Sequence, residues 1–340
     1  HTSARFGTRP YFRTVGYFGS ATQAAFNWGA VTSKRGANHR GIGVAYAISR
    51  FYAHGKYPKY NSEPLVEAVI KGMVLYDPRP AAAQTQGDEN TYTFSQNAAL
   101  ALLRYLTTDT GADWGFAALD INSFKDAADA CDVAVVIPGR LTNTTGATVS
   151  WRNRRDGLFD NITNGTEWTT YRRDQIGSTQ PRLIGSFILD PETGVKDNIE
   201  SILQVMHGHL PFSNGKYKLI IEDVVGAAAM DFDDDSILGN WKITEGGRGE
   251  RLNRATVTFV NKNKSYKEDS VSWPKLDSTQ YTTYLAEDSG EKLFQTFDVP
   301  GISDFYQAED WAEFQVKNSR ASRRVTVDLA PKAMLLEFGD

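Results

Sequence analysis

The stretch "DPETGVKDNIESILQVMHGHLPFSNGKYKLIIEDV", residues 190–224, carries the strongest secondary-structure signals in this chain. Asp190 is a suitable N-cap for a helix, Pro191 suits its first position, and Gly208 is placed to end it. Apolar residues at helical spacing form a stripe between these ends: Val195, Ile199, Leu203 and Met206. The pattern predicts one amphipathic helix with a single buried face.

A hairpin is predicted directly after this helix. Asn214 and Gly215 stand between two strand-like runs, and this dipeptide is the strongest short signal for a two-residue hairpin turn. Beyond the turn, apolar and basic side chains alternate as a strand requires: Tyr217, Leu219 and Ile221 against Lys216 and Lys218. The stretch holds no nucleophile, cysteine or phosphate-binding loop, so it specifies a structure without supplying chemistry.

Composition places the chain among ordinary globular proteins. Its 340 residues are enough for two or three domains, and it is 41% hydrophobic and 23% charged. The net charge of −4 gives no electrostatic reason to expect binding to nucleic acid or to a membrane. No apolar run reaches the roughly 18 residues of a membrane-spanning helix. Because the chain begins with His1 and its first residues have no apolar signal core, we expect an internal segment of a longer polypeptide.

The first 80 residues are predicted to be rich in β-strands. "GIGVAYAISRFYA" places apolar residues at alternate positions, as a half-buried strand does: Ile42, Val44, Tyr46 and Ile48. A second strand-like region ends at Asp77 and Pro78, because proline cannot continue a sheet ladder. We assign residues 1–80 to a β-rich hub section.

Residues 81–230 are predicted to form an accessory α/β domain. A helix in "SQNAALALLRYL" has Ser95 as its N-cap, and a second in "LDINSFKDAADACD" is capped by Asp120 or Asn122. The only cysteine, Cys131, lies on the apolar stripe of the second helix and is expected to be a small core residue. Residues 139–180 show neither helical nor strand periodicity, which is typical of an irregular insertion.

Residues 240–340 are predicted to be mostly strand. "NRATVTFVN" and "SRRVTVDLAP" both alternate apolar with polar residues, and one helix capped by Ser303 lies between them. The simplest architecture for this order of elements is a β-barrel section crossed by a single helix.

No stretch of the sequence indicates a catalytic residue, a cofactor site or a metal site. His207 and His209 flank the predicted helix end, where a cation would interact favourably with the last carbonyls. "MDFDDDSILG" fails the calcium-loop pattern, because its sixth and twelfth positions are Ser236 and Lys242 instead of glycine and glutamate. Paired carboxylates for glycoside hydrolysis stay an open alternative, since the fold decides their spacing.

Several runs nevertheless resemble a known family. "VIKGMVLYDPR", "TFSQNAALALLRYLTTDTGADWGFAALDINSFKDAADACD", the helix and "GKYKL" hairpin, "NRATVTFVNKNKSYKEDSV" and "SRRVTVDLAPKAMLLEFGD" follow one another between residues 40 and 340. Their joint order resembles the central tail hub, or tip attachment, proteins of long-tailed (siphovirus-type) bacteriophages, which are similar to the baseplate hub of contractile-tailed phages. Residues 139–180 have no counterpart in this pattern.

The resemblance implies a multi-domain, β-rich α+β protein with tail-tube-like β-barrel domains and an accessory α/β domain. Such hubs form homotrimeric rings that connect and close the tail tube and provide the conduit for the tape measure and DNA. The implied partners are further copies of the chain, the distal tail protein, the tube, the tape measure and the tail fibre or receptor-binding proteins. The implied location is the virion tail tip, after assembly in the host cytoplasm. Stable membrane insertion by this segment is not expected, and contact with DNA would be transient.

Two other classes of function stay open for the sequence. One is a tail-associated cell-wall hydrolase, because tail tips often carry such enzymes, and the other is a receptor-binding module. Residues 151–173 also contain basic and aromatic side chains of the type that binds a single strand of nucleic acid. Acidic residues among them weaken the positive field of this patch.

A ring with a channel must expose one face of its strands to the lumen. DNA carries one negative charge per about 1.7 Å of duplex axis, so a basic lining would retain it, and the lumen is expected to be neutral to acidic. The candidate lining residues lie on the polar sides of the alternating strands: Thr256, Thr258, Thr326 and Asp328. The alternative is that these residues face bulk solvent while the apolar sides pack on the domain's own helix.

Overall fold

The chain divides into two units, residues 1–70 and 71–340, in this computed structural model. The structure describes residues 5–6, 9–10, 12–18, 45–51, 70–136, 179–222, 230–233, 236–239, 241–245, 247, 251–321 and 323–336. The predicted insertion and the mixed basic patch therefore fall almost entirely outside the described residues. No helix in these ranges is long and apolar enough to cross a bilayer.

The first unit contains two antiparallel strand pairs. β1 (Arg5–Phe6) pairs with β2 (Arg9–Pro10), and β3 (Phe12–Phe18) pairs with β4 (Ala45–Phe51). The strand predicted around "GIGVAYAISRFYA" is confirmed over β4, where Tyr46 and Ile48 are half-buried and Ala47 is exposed. Ile42 and Val44 lie outside the described residues.

The second unit begins with a strand pair that is tied to a helix by ion pairs. β5 (Val74–Leu75) pairs with β6 (Thr93–Phe94). Just after β5, the Arg79 guanidinium lies 2.7 Å from the carboxylate of Asp77, 3.0 Å from Asp129 and 2.8 Å from Asp132. Since Asp129 and Asp132 belong to α2 (Ile121–Asp132), these contacts hold the "YDPR" run against that helix.

Both helices predicted in this section are present. α1 (Ala98–Thr107) is capped by Asn97, whose side chain accepts hydrogen bonds from the amides of Ala99 and Leu100. The prediction of Ser95 as the cap was wrong, because its hydroxyl instead accepts from the Asn97 amide at 3.1 Å and orients the true cap. Asp120 caps α2, and Cys131 is fully buried on it. Burial raises the pKa of the Cys131 thiol to about 12, which suits a core residue.

Two strands that flank the predicted insertion in the sequence pair with each other. β7 (Ala134–Val136) is antiparallel to β8 (Thr179–Pro181). The last residues assigned to the insertion, Thr179 and Gln180, are thus part of a strand, and the rest of residues 139–178 is not described.

The helix predicted in residues 190–208 is shorter than expected. α3 (Val195–Val205) begins after Gly194, because Asp190 and Pro191 form a separate turn in which the Asp190 side chain accepts from the Glu192 amide. The buried face is also rotated from the predicted stripe, since Val195 is exposed and Leu203 only half-buried. Its members are Asn198, Ile199, Ile202 and Val205, followed by Met206.

Gly208 does not end the helix, which corrects the prediction. The left-handed residue that follows α3 is His207, with φ 50°. Gly208 belongs to the next strand, and a Cβ there would lie 2.9 Å from Cδ2 of Leu203. A larger residue at this position would require the Leu203 side chain to shift, and the position does not have the left-handed backbone that favours glycine.

The predicted hairpin is confirmed. β10 (Phe212–Ser213) pairs with β11 (Lys216–Tyr217), and Asn214 and Gly215 have φ of 51° and 79°, as a type I′ turn requires. The ladder continues outward between β9 (Gly208–His209) and β12 (Ile220–Ile221). Leu219 and Ile221 are buried while Lys216 is exposed, as the alternation predicts.

The last section contains a three-stranded sheet and a separate two-stranded ribbon. In the sheet, β14 (Arg254–Asn261) lies between antiparallel β15 (Lys267–Trp273) and parallel β16 (Phe294–Asp298). The ribbon pairs β13 (Lys242–Glu245) with β17 (Arg323–Thr326) in antiparallel register. The mixed α+β class is confirmed, and no sheet closes into a barrel within the described ranges.

Two helices, not one, lie between β15 and β17. The unpredicted α4 (Thr279–Glu287) is capped by Ser278 and buries only Tyr281, so its apolar periodicity is too weak to detect. The predicted helix is α5 (Phe305–Arg320), which covers one face of the sheet. Its N-cap is Asp304 and not Ser303, whose hydroxyl instead lies 3.0 Å from that of Ser186.

One hydrophobic core joins the helical section to the sheet. The Ile184 amide donates to the Gln307 side chain at 3.1 Å, and the Trp311 indole donates to the Gln204 carbonyl at 2.8 Å. The sections predicted around residues 81–230 and 240–340 therefore share a core within the second unit.

His207 lies at this junction and is not the cation that the sequence suggests. Its ring stacks on Trp311 with centroids 5.3 Å apart and packs 3.9 Å from the ring of Phe314. Burial lowers the pKa of His207 from 6.5 to about 3, and the charge of Arg182 and the nearby His209 add to the effect. The buried imidazole is neutral and fills an aromatic contact between α3 and α5.

Truncating the buried face of α3 should destabilise the second unit. Ile202→Ala should lower the free energy of unfolding by about 2–5 kcal/mol, because Ile202 is fully buried and a cavity would remain. Leu203→Ala should cost less, since Leu203 is half-buried, and exposed Val195→Ala should have little effect. Urea denaturation of the three variants measures the order of these losses in the free energy of unfolding. Equal losses for Ile202→Ala and Val195→Ala would contradict this packing.

His207 should make the protein less stable as the pH falls below 6.5. Its folded pKa is about 3, so the unfolded chain binds a proton that the folded chain excludes, and the associated stability is complete above pH 6.5 and is lost as the pH falls towards 3. Between pH 7 and pH 5 the loss should be about 2 kcal/mol.

His207→Asn tests this effect, because asparagine tolerates the left-handed backbone and does not titrate. Urea midpoints at pH 7, 6 and 5 should fall less steeply for His207→Asn than for the unmodified chain. His209→Asn is the comparison variant at a half-exposed histidine; it removes only the smallest contribution to the His207 shift and should keep most of the original slope. Equal slopes for all three proteins would show that His207 is not buried in its neutral form.

Candidate functional site: the open face of the three-stranded sheet

The three-stranded sheet, whose central strand is β14, has two different faces. The face that packs under α5 is called the dry face, and the opposite face is called the open face. Ala255, Val257 and Phe259 are buried under α5, and the residues between them are half-buried. This strict alternation was predicted from the sequence and is confirmed. It leaves Thr256 and Thr258 on the side of the sheet that faces away from α5.

Hydroxyl groups form rows across this open face. Thr256 lies between Ser272 of β15 and Thr296 of β16 in the strand register, and its hydroxyl is 2.8 Å from that of Ser272. A second row consists of Ser270, Thr258 and Asp298. Since cross-strand neighbours share a face, the two rows create a continuous polar surface.

The charges on the open face are few and mainly acidic. Arg254 stands at one end of β14, and its guanidinium lies 5.7 Å from the ring centre of Phe294. Glu268 and Asp298 are exposed on the flanking strands. One positive group and two negative groups give the face a slightly negative formal charge.

Thr326 and Asp328 lie elsewhere, at the ribbon. Thr326 is directly opposite Lys242 in the β13–β17 register, and both are exposed. Asp328 follows β17, where its carbonyl accepts from the Leu238 amide at 2.7 Å. The four candidate residues therefore occupy two separate sheets, with Thr256 and Thr258 on one and Thr326 and Asp328 on the other.

The polar side of the ribbon differs in charge from the open face. Lys242, Thr244, Arg324 and Thr326 share this side, so it carries two cations. The apolar side also differs from expectation, because Val325 is 55% exposed. The predicted alternation of β17 is present, but α5 does not cover its apolar side.

Buried ion pairs fix both ends of α5 against the sheet. At the N-terminus, Asp304 is 3% exposed, accepts from the amides of Tyr306 and Gln307, and lies 2.8 Å from the Lys262 ammonium. Burial alone would raise the pKa of Asp304, but the charge of Lys262 holds it below the ordinary value. Sequence reasoning missed this residue, although an aspartate just before the helix was a visible capping signal.

At the other end of α5, Arg320 contacts two carboxylates and an aromatic ring. Its guanidinium lies 2.8 Å from Asp288 and also pairs with Glu287, while its centre is 4.2 Å from the ring centre of Tyr284. Burial raises the pKa of Asp288, but Arg320 and the amide of Asn253 together bring it below the ordinary value. These contacts join α4, α5 and β14, and no sequence motif indicated them.

The acidic run "MDFDDDSILG" forms no metal site in the part that the structure describes. Asp233 and Ser236 are hydrogen-bonded to each other, and Asp235 is not described. No group of three or more histidine, cysteine, aspartate or glutamate side chains able to hold a metal occurs in the described ranges.

Comparison with known protein families matches the C-terminal part of the second unit. Residues 195–340, a little under half of the chain, match a family model described as "Putative phage tail protein". The matched region starts at α3 and includes the hairpin, the three-stranded sheet, α5 and the ribbon. No curated protein matches the chain. The family match supports a phage tail protein, and hence a component of the virion tail.

Proposed function

We propose that the chain is the central hub of a phage tail tip. In this role it forms a homotrimeric ring that connects and closes the tail tube and provides the conduit for the tape measure and DNA. The family match supports a tail protein. The observation that supports the conduit is the open, hydroxyl-rich face of the three-stranded sheet.

The chemistry of this face suits the passage of DNA. Thr256, Thr258 and Ser272 offer neutral, hydrated groups, and the nearest charges are mainly acidic. Fixed cations would exchange with the counterions of the phosphate backbone and retain the DNA, whereas this surface gives no such attraction. We therefore place the open face towards the lumen.

The sheet edges support assembly with other copies. A three-stranded sheet with β15 and β16 at its edges leaves backbone hydrogen-bonding groups unpaired within the described residues. A tail-tube-like barrel would be completed when a strand of an adjacent subunit joins one such edge. A head-to-tail contact of this kind closes into a ring when the rotation between subunits closes.

The helix and hairpin at residues 195–221 have a bracing role in this proposal. α3 reaches α5 through the Gln204–Trp311 hydrogen bond and the His207 ring stack. The Gln204 side chain also donates to the Asp298 carbonyl at 3.1 Å, at the end of β16. These contacts support the wall of the proposed channel from its outer side.

The proposed partners follow from this position. They are two further copies of the chain, the distal tail protein and the tube above it, the tape measure within it, and the tail fibre or receptor-binding proteins around it. The proposed location is the virion tail tip, after assembly in the host cytoplasm.

Electron microscopy of intact tails tests the hub role directly. Averaged images should show threefold density for this chain at the tail tip, just below the tube. A chain located along the tail shaft, or present as a single copy, would overturn the hub proposal.

The proposal also includes the absence of an enzymatic activity. A zymogram with purified, folded chain on peptidoglycan should show no clearing. A cleared band that disappears on substitution of one carboxylate, with folding intact, would favour the cell-wall hydrolase instead.

Adding positive charge to the open face should slow DNA exit. Thr256→Lys combined with Thr258→Lys should make DNA release several-fold slower, with a larger effect at low salt, because the new cations would bind phosphates. Release from triggered particles can be followed by the fluorescence of a DNA-binding dye.

Two controls distinguish an effect of the added charge on DNA release from an effect of damage to the sheet. Thr256→Ser with Thr258→Ser keeps the hydroxyls and should leave the rate unchanged. Thr282→Lys with Thr283→Lys adds the same charge at exposed positions of α4 and should also have no effect. Unchanged release from the Thr256 and Thr258 lysine variant, in complete tails, would show that this face does not line the lumen.

A further inference from the structure

The β13–β17 ribbon exposes a cluster of apolar side chains on the side opposite Lys242 and Arg324. Ile243 lies directly opposite Val325, and each is 55% exposed. Trp241, two residues before Ile243 and on the same side, is 64% exposed. A two-stranded ribbon is marginally stable alone in water, and exposed apolar surface of this kind marks an interaction site.

The outer edge of β16 is open and unprotected. Within the described residues no strand pairs with this edge, and α3 reaches only its last residue through the Gln204–Asp298 hydrogen bond. Phe294 and Thr296 are exposed, and the strand "FQTFD" contains no lysine, proline or bulge, its one charged residue being Asp298 at its end. Edges without these features readily accept another strand.

The other edge of the sheet, formed by β15, carries residues that oppose pairing with another strand. The two edges therefore differ in how readily they can accept a strand. β15 begins with exposed Lys267 and Glu268, and Pro274 follows its last residue. Charged residues and proline are the usual means by which a sheet edge resists pairing. The sheet is therefore prepared to extend in one direction only, beyond β16.

The ribbon and the sheet carry complementary charges. Lys242 and Arg324 are exposed on the polar side of the ribbon. Asp298 and Glu268 are exposed on the open face of the sheet. A ribbon added beside β16 with its polar side on the open face would bring the two cations towards Asp298, while Glu268 lies two strands away on β15.

We propose that the β16 edge of one copy pairs with the β13–β17 ribbon of the neighbouring copy, so that the sheet continues across the subunit boundary. This inference rests on the proposed ring and names the strands that form it. Both halves of the contact are on the same chain and differ from each other, which is the arrangement of a head-to-tail interface between identical subunits.

The pairing unites features that are separate in the single chain. Thr326 and Asp328 join Thr256 and Thr258 on one polar face across two copies. Ile243, Val325 and Trp241 extend the dry side of the sheet and lose their exposure to water. Lys242 and Arg324 join a face that already carries Asp298 and Glu268, so the shared face keeps a near-neutral formal charge.

Single-cysteine chains test the pairing. Thr296→Cys and Thr326→Cys chains are co-assembled into tails and treated with a short bis-maleimide linker, which tolerates a small error in register. Cross-linked dimers should appear in the mixed tails and not in tails made from either variant alone, because the contact joins β16 to β17. The native Cys131 is fully buried and gives little background.

The outcomes distinguish the interface from the proposed function. Complete tails without cross-links in the mixture, or with equal cross-links from each variant alone, would overturn the pairing. If such tails still show threefold density at the tip, the hub proposal stands and only the interface is wrong. If the chain is not at the tip, the hub proposal itself fails.

A charge placed on the apolar ribbon face gives a second, independent measurement. Ile243→Lys should reduce the number of complete tails by roughly tenfold or more, since a lysine would be desolvated in the interface. Ile188→Lys is the matched control at a fully exposed isoleucine outside the ribbon and should leave tail numbers unchanged. Normal assembly with Ile243→Lys would count against the interface.

Discussion

The packing of α5 on one face of the three-stranded sheet is the interaction on which the rest of the second unit depends. Ala308 and Ala312 are fully buried on α5, and their small side chains allow the helix to lie close to β14. Phe297 meets Trp311 with ring centres 5.1 Å apart, and Asp304 and Arg320 fix the two ends of the helix. Because one face is dry in this way, the other face is left mainly to polar side chains, with Val260 and Phe294 as its apolar members.

The same helix transmits support from the first part of the unit. Trp311 packs on the sheet through Phe297 and donates to Gln204 of α3 through its indole nitrogen. The neutral ring of His207 extends this contact at the point where the hairpin begins. The helix and hairpin thus have a physical task, which is to fix the position of α5 and, through it, the sheet.

The features that the sequence predicted best are those that depend on residues close together in the chain. The alternation in β14, the Asn214–Gly215 turn and the Asp120 cap each depend on residues a few positions apart, and all three are confirmed. The errors concern tertiary neighbours. An apolar side chain such as Val325 shows that a strand has a dry side, but its periodicity does not show which element covers that side. The position of His207 against Trp311 and Phe314 was missed for the same reason, whereas the later start of α3 follows from the local turn at Asp190.

The open edges of the sheet also bear on how firmly the chain assembles. Unpaired backbone groups at an exposed edge are hydrated, so pairing them exchanges one set of hydrogen bonds for another and contributes little net free energy. The larger contribution must come from the apolar ribbon face around Ile243 and Val325, which is limited in area. Association of isolated chains is therefore expected to be weak, and contacts with the tube above would raise the effective concentration of the edges. In the ring that we propose, an unguarded edge is tolerable under these conditions, because the chain would pair strongly only where the tail places its neighbours.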